Sequence, residues 1–124
     1  MALIDTCGWI EWLTNGTLCD KYEPYFQRIN AIIVPTSIQY ELYKWVARHN
    51  GIQLALEAIA LTEQAKIIPL STPLALSAAD FSAELKLSFA DAIIYATARF
   101  HQVALVTSDN HFKDLPAVTS FTKP

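Results

Sequence analysis

Short apolar runs alternate with longer segments of helical periodicity along the whole chain, and few folds accommodate that order. The runs lie at residues 2–4, 31–34, 66–70, 103–106 and 118–121. Several are closed by a residue that ends a strand or opens a helix: Asp5 after the first, Pro35 after the second, Thr107 after the fourth. Between them, apolar residues recur at helical spacing. Trp9, Ile10, Trp12 and Leu13 form one such set, stopped by Asn15 and Gly16. Residues 22–30 read as a short helix. Ile38, Leu42, Trp45, Val46 and His49 form a stripe up to Asn50 and Gly51, with Thr36 three residues before Gln39 as in a capping box. Helices are also predicted over residues 52–64, 73–87 and 89–100, the last opened by Ser88 three residues before Asp91 and almost devoid of polar residues. A turn at 107–110 and a helical turn at 111–114 follow.

Strands separated by helices demand a mainly parallel sheet covered on both faces. The predicted architecture is therefore an α/β/α three-layer sandwich with about five strands. The chain of 124 residues fits one domain, residues 1–124, with no internal repeat or linker.

Composition narrows the function. Apolar residues make up 52% and charged residues only 17%, so much of the chain must be buried and disorder is excluded. Gln53, Glu57, Ser77, Asp80, Glu84 and Lys86 interrupt the most apolar stretches, leaving no run of about 18 residues able to span a membrane. The opening residues lack a secretory signal, so the cytoplasm is the expected location. The three glycines, Gly8, Gly16 and Gly51, are too scattered for a phosphate-cradling loop. Cys7 and Cys19 form no zinc pattern, and His49, His101 and His111 stand at no ligand spacing, so two free thiols are expected. The net charge of −3 advertises no basic field for nucleic acid.

The acids carry more information. In open parallel sheets the active crevice lies beyond the carboxyl ends of the strands. Asp5 and Asp109 follow strands, Glu41 lies early in the helix after the second strand, and Asp91 opens the apolar helix. Four carboxylates in one crevice repel one another, and a hard divalent cation, Mg²⁺ or Mn²⁺, relieves that repulsion. Such a cation suits phosphodiester hydrolysis. The competing reading is plainer: Asp5, Asp91 and Asp109 all occupy capping positions, and Glu41 is spaced to pair with Lys44 or Arg48. Asp80 and Asp114 read as caps or solvated charges. Cys7 lacks the histidine partner a nucleophile needs.

The stretches Leu3-Ile4-Asp5-Thr6, Ser37-Ile38-Gln39-Tyr40-Glu41-Leu42, Ala90-Asp91-Ala92-Ile93-Ile94-Tyr95-Ala96-Thr97-Ala98 and Leu105-Val106-Thr107-Ser108-Asp109 resemble the four motifs of PIN-domain ribonucleases, especially VapC-type toxins. The resemblance spans the chain and keeps the order of the acids. It implies a Mg²⁺- or Mn²⁺-dependent endoribonuclease that acts on RNA, forms homodimers and is inhibited by a cognate antitoxin. By position it assigns Asp5, Glu41, Asp91 and Asp109 to the metal and Thr107 to a hydroxyl beside it. Two positions depart from the pattern: Gln102 stands where a glycine is usual, and Ser108 where larger or basic residues are common. Setting the four acids aside turns the net charge of −3 into +1, and Lys44, Arg48, Lys86, Arg99 and Lys113 become the candidate phosphate contacts. Trp9, Trp12, Tyr43 and Trp45 are candidates for the antitoxin contact, with an antitoxin arginine reaching among the carboxylates.

Two other functions share the predicted fold. A non-catalytic binding module would keep the fold and the caps without the chemistry. A phosphoacceptor receiver domain would need an acidic pair after the first strand and a lysine after the last buried one, whereas Asp5 stands alone and no lysine falls between Val103 and Phe112.

Overall fold

β1 (Ala2–Ile4) is buried at every position, as is β2 (Ile32–Pro35). Successive strand side chains point to opposite faces, so burial without alternation means that both faces of the sheet are covered. The computed structural model describes residues 1–124 and contains six helices and five strands. α1 (Thr6–Leu13) and α2 (Cys19–Phe26) lead to β2; α3 (Thr36–Asn50) and α4 (Ile52–Thr62) lead to β3 (Lys66–Ile68). α5 (Thr72–Leu85) and α6 (Phe89–Phe100) lead to β4 (Ala104–Thr107), and a 3₁₀ turn (Asn110–Phe112) precedes β5 (Val118–Ser120). The strands lie in the order β3-β2-β1-β4-β5, and every neighbouring pair is parallel. The predicted three-layer α/β/α arrangement is the one observed.

This order sets the site. The chain leaves β1 to build one side of the sheet and returns to place β4 on its other side, so the direction of winding reverses between β1 and β4. Crevices form at such switch points. Ile4 is in register with Val106, and the Asp5 amide donates to the Val106 carbonyl at 3.0 Å. The two strands therefore deliver Asp5 and Asp109 to the same edge.

α6 is the most buried helix, as its composition predicts: Ala92 to Ala98 are all inaccessible. The Thr97 hydroxyl, the polar exception, donates to the Ile93 carbonyl at 2.7 Å. Ser88 caps the helix, its hydroxyl accepting from the Asp91 amide at 3.3 Å. Gln102 sits at φ 56°, which explains why a glycine is the easier residue at that turn. No helix is long and apolar enough to cross a membrane.

Three local expectations change. The capping box at Thr36 does not form: the helix is already under way at Thr36, and Gln39 instead donates to the Thr62 hydroxyl at 3.0 Å and the Glu63 carboxylate at 2.7 Å. A tertiary contact between α3 and α4 thus outcompetes a local one. α2 begins three residues earlier than its apolar spacing suggests, because the buried Glu11 carboxylate accepts from the Leu18 amide at 3.2 Å and pairs with Lys123 at 3.0 Å. A Cβ on Gly16 would lie 1.9 Å from a Glu11 carboxylate oxygen, so any larger residue at this bend would displace the Glu11 side chain. Trp9 is fully buried, in edge contact with Trp12 and Phe26, and belongs to the core rather than to any partner surface.

Candidate metal centre

Asp5 ends β1 and opens α1. Its Oδ1 accepts from the Thr6 amide at 2.8 Å, which is the capping bond, while its Oδ2 accepts from the Thr107 hydroxyl at 2.8 Å. Capping therefore uses one oxygen and leaves the other to the site. Asp5 is only 5% exposed. Burial pushes its carboxyl up to about 6; the bonds from Thr107 and Thr6 pull the other way, and the nearby charges of Asp109 and Glu41 add to the rise.

Glu41 faces the same crevice from the second turn of α3. Its Oε1 accepts from the Thr6 hydroxyl at 2.8 Å. Burial raises its pKa, the Thr6 bond opposes that, and Asp91 and Asp109 raise it further. No ion pair forms with Lys44 or Arg48, the alternative its spacing allowed.

Asp91 is not the cap of α6, because Ser88 fills that role. Its Oδ2 instead lies 2.9 Å from His111 Nδ1. Asp109 holds the following turn by accepting from the His111 amide at 2.9 Å, and its own amide donates to the Thr107 hydroxyl at 2.9 Å. The result is one continuous relay that runs Glu41, Thr6, Asp5, Thr107, Asp109, His111, Asp91 and takes in all four predicted acids.

His111 and Thr6 are the parts that sequence reasoning missed, and Cys7, weighed there only as a nucleophile, borders the site as well. His111 stands at no ligand spacing from the other histidines; its partners are acids, and the only local hint is its position two residues after Asp109. Asp91 first, then Asp109, hold the imidazole above its ordinary pKa. The Cys7 sulfur lies 3.6 Å from Asp5 Oδ2 and receives the Ser108 hydroxyl at 3.3 Å. Burial, and then the Asp5 charge, push this thiol up, so it stays protonated and unsuited to nucleophilic attack. Ser108, one of the two departures from the motif pattern, thus packs against sulfur.

The basic residues divide. Lys44 and Arg48 line a groove of about 320 Å³ that also contains Thr6 and Glu41. Lys86 and Lys113 are exposed, Lys113 directly after the turn that carries His111. Arg99 is not brought to this edge: it lies at the far end of α6 and lines a hollow with Gln102, Val103 and Ala117. Eight residues of helix separate it from Asp91, about 12 Å.

No lysine or arginine pairs with the four acids, and the only cationic group against them is His111. Clustered carboxylates with two pKa values driven up by burial and mutual repulsion fit a hard divalent cation, which takes oxygen ligands and removes that repulsion.

No curated protein matches the sequence. Solved structures do match the fold. A toxin–antitoxin complex from Klebsiella pneumoniae superposes with a TM-score of 0.81 at 24% identity, over 98% of this chain and 99% of that one. VapBC2 from Rickettsia felis, bound to a DNA fragment from its promoter, gives 0.77 at 16% identity over 99% and 98%. Mycobacterium tuberculosis VapC20, a toxin that cleaves the sarcin-ricin loop, gives 0.72 at 15% identity over 98% and 89%. These likenesses concern the fold. The PIN-domain family model, in contrast, matches residues 2–118, nearly the whole sequence, and so the chain belongs to the PIN-domain family.

Proposed function

We propose that the protein is a Mg²⁺- or Mn²⁺-dependent endoribonuclease and the toxin of a type II toxin–antitoxin pair, acting in the cytoplasm. The observation that carries this reading is the relay joining Asp5, Glu41, Asp91 and Asp109 through Thr6, Thr107 and His111 at the carboxyl edge of the sheet. Membership of the PIN family and the fold shared with toxin–antitoxin proteins support it.

The four acids would hold the cation. When bound, it supplies Lewis acidity that activates water and offsets the charge building on the phosphate. The protein's own contribution is preorganisation. Thr107 fixes the Asp5 carboxylate by its proton and takes the Asp109 amide in return, so the ends of β1 and β4 cannot drift apart. Thr6 fixes Glu41 Oε1 and so orients the carboxylate, leaving Oε2 free to face the cation. Lys44 and Arg48 hold the RNA phosphates in the adjoining groove, with Lys86 and Lys113 as further contacts.

Two apolar hollows suit the implied partners. One of about 420 Å³, lined by Ile10, Leu13, Trp45, Leu54 and Leu61, is assigned to the antitoxin; half-buried Trp12 and Tyr43 lie on the same helices but outside its lining. An antitoxin arginine reaching the acids would compete with the metal. The other, about 400 Å³ along α5 and α6 with Phe89 exposed, is assigned to the homodimer.

The test is cleavage of structured RNA by purified protein, with Mg²⁺ or Mn²⁺ and with chelator. Cleavage in metal alone, reduced about a thousandfold or more in Asp91→Asn, is the expected result, since a catalytic cation contributes several kcal/mol. Equal cleavage in excess chelator sinks the mechanism. Metal binding without cleavage of any RNA would leave a non-catalytic module.

A further inference from the structure

We propose that His111 is itself a ligand of the cation, so that the centre is a mixed nitrogen and oxygen site that prefers Mn²⁺ to Mg²⁺. The inference rests on the reading of the four acids as a divalent-cation site. His111 Nδ1 stands 2.9 Å from Asp91 Oδ2 and 3.3 Å from Asp109 Oδ1. Ligand atoms of these three residues all lie within 4.8 Å of one another. Adjacent donors around an octahedral ion with bonds of about 2.1 Å are separated by about 3.0 Å, close to both distances from Nδ1, so the ion would take the place of the proton now shared there, which is released to solvent on binding.

The imidazole is also held in place. The His111 amide is bonded to Asp109, and the next residue, Phe112, is fully buried and packs against Tyr95. The turn is therefore pinned on both sides of His111 while the ring stays 69% exposed. An ion pair that open to solvent adds little to stability, so the convergence of three donors gains little from pairing alone. The other histidines are occupied elsewhere: His49 stacks on Trp45 and bonds its carbonyl, and His101 ends α6 at the opposite edge.

The preference follows from donor chemistry. Mg²⁺ favours carboxylate oxygen and water, whereas imidazole suits transition ions, and affinity for a site containing nitrogen rises along the first transition row from Mn²⁺. Replacing one oxygen donor by imidazole therefore tilts the site away from Mg²⁺.

The experiment is metal binding to the full chain, read without any turnover. Mn²⁺ and Mg²⁺ affinities are measured for the parent, His111→Ala, His49→Ala and His101→Ala, and pulsed electron paramagnetic resonance of the Mn²⁺-loaded proteins is read for nitrogen coupling. The parent should show coupling to one imidazole nitrogen and bind Mn²⁺ about tenfold or more tightly than Mg²⁺. His111→Ala should lose the coupling and most of the preference with Mg²⁺ affinity nearly unchanged, while the other two variants behave as the parent. Melting curves in chelator check that each variant is folded. Mn²⁺ bound without nitrogen coupling, or a Mn²⁺-to-Mg²⁺ ratio unchanged by His111→Ala, overturns the role of His111 and leaves the carboxylate site standing. Failure of the parent to bind either ion overturns both readings.

Discussion

Asp5 and Asp91 belong to one carboxylate cluster but experience different surroundings. Asp5 is sealed under β1 and β4 with both oxygens hydrogen-bonded inside the protein, whereas the side chains of Asp91 and Asp109 keep 15% and 35% of their exposure and are joined through a solvated histidine. Burial raises the Asp5 pKa from 3.8 to about 6, while His111 shifts mainly through its bond with Asp91. The inner half of the centre therefore carries a desolvation cost within the fold itself, one that a bound cation would relieve and that marks the stability of the metal-free protein.

The sharpest way to separate the halves is to neutralise one acid at a time in chelator. A carboxyl whose folded pKa lies above its unfolded value contributes stability that is present in full below about 3.8 and is lost as pH rises through about 6. Metal-free parent should thus lose stability across that window, with Glu41 acting in the same direction. Asp5→Asn should remove most of this slope, a pH-dependent loss of about 2 to 3 kcal/mol in the parent from a shift of about two pKa units at 1.36 kcal/mol each. Asp91→Asn should keep it. Denaturant melts of the three proteins between pH 4 and 7 decide it, and equal slopes in all three would dissolve the distinction.

A smaller effect is expected where the two halves join. Thr107→Val keeps the shape but removes the proton given to Asp5 and the oxygen that accepts the Asp109 amide. Leaving such buried groups unpaired costs about 1 to 3 kcal/mol. Chelated Thr107→Val should unfold at lower denaturant than the parent with an unchanged slope.

Metal tests the outer half from the other side. At ten times its dissociation constant, Mg²⁺ or Mn²⁺ should stabilise the parent by about 1.4 kcal/mol, and Asp91→Asn by much less. An equal metal-induced rise in melting temperature in both proteins would remove Asp91 from the centre. The smallest effects belong to the rim: Lys44→Ala and Arg48→Ala should each weaken RNA binding and flatten its salt dependence by about one unit of slope, and Arg99→Ala should change neither. A filter-binding salt series distinguishes them.

How much of this was legible beforehand depended on the range of the interaction. The strands, α6 and the ends at which Asp5 and Asp109 emerge follow from periodicity within a few residues, and the structure retains them with small shifts. The failures involve distant partners. Glu41 meets Thr6 rather than its helix neighbours Lys44 and Arg48, because α3 packs against α1 with that face toward the crevice. Gln39 reaches Thr62 and Glu63 instead of capping its own helix. Trp9 reads as a partner contact in an apolar-rich chain, yet the ring cluster with Trp12 and Phe26 hides it.

The amino-acid sequence by itself determined an alternating α/β chain with carboxylates at strand and helix ends, because β-branched runs, helical stripes and capping positions are local properties of neighbouring residues. Tertiary structure alone decided which carboxylate would be buried, that Thr107 would serve Asp5 across 102 positions, and that His111 would meet Asp91 across 20. Those contacts depend on the strand order β3-β2-β1-β4-β5, which sets β4 beside β1 and draws the turn after it over the start of α6. Spacing along the chain contains no measure of that distance.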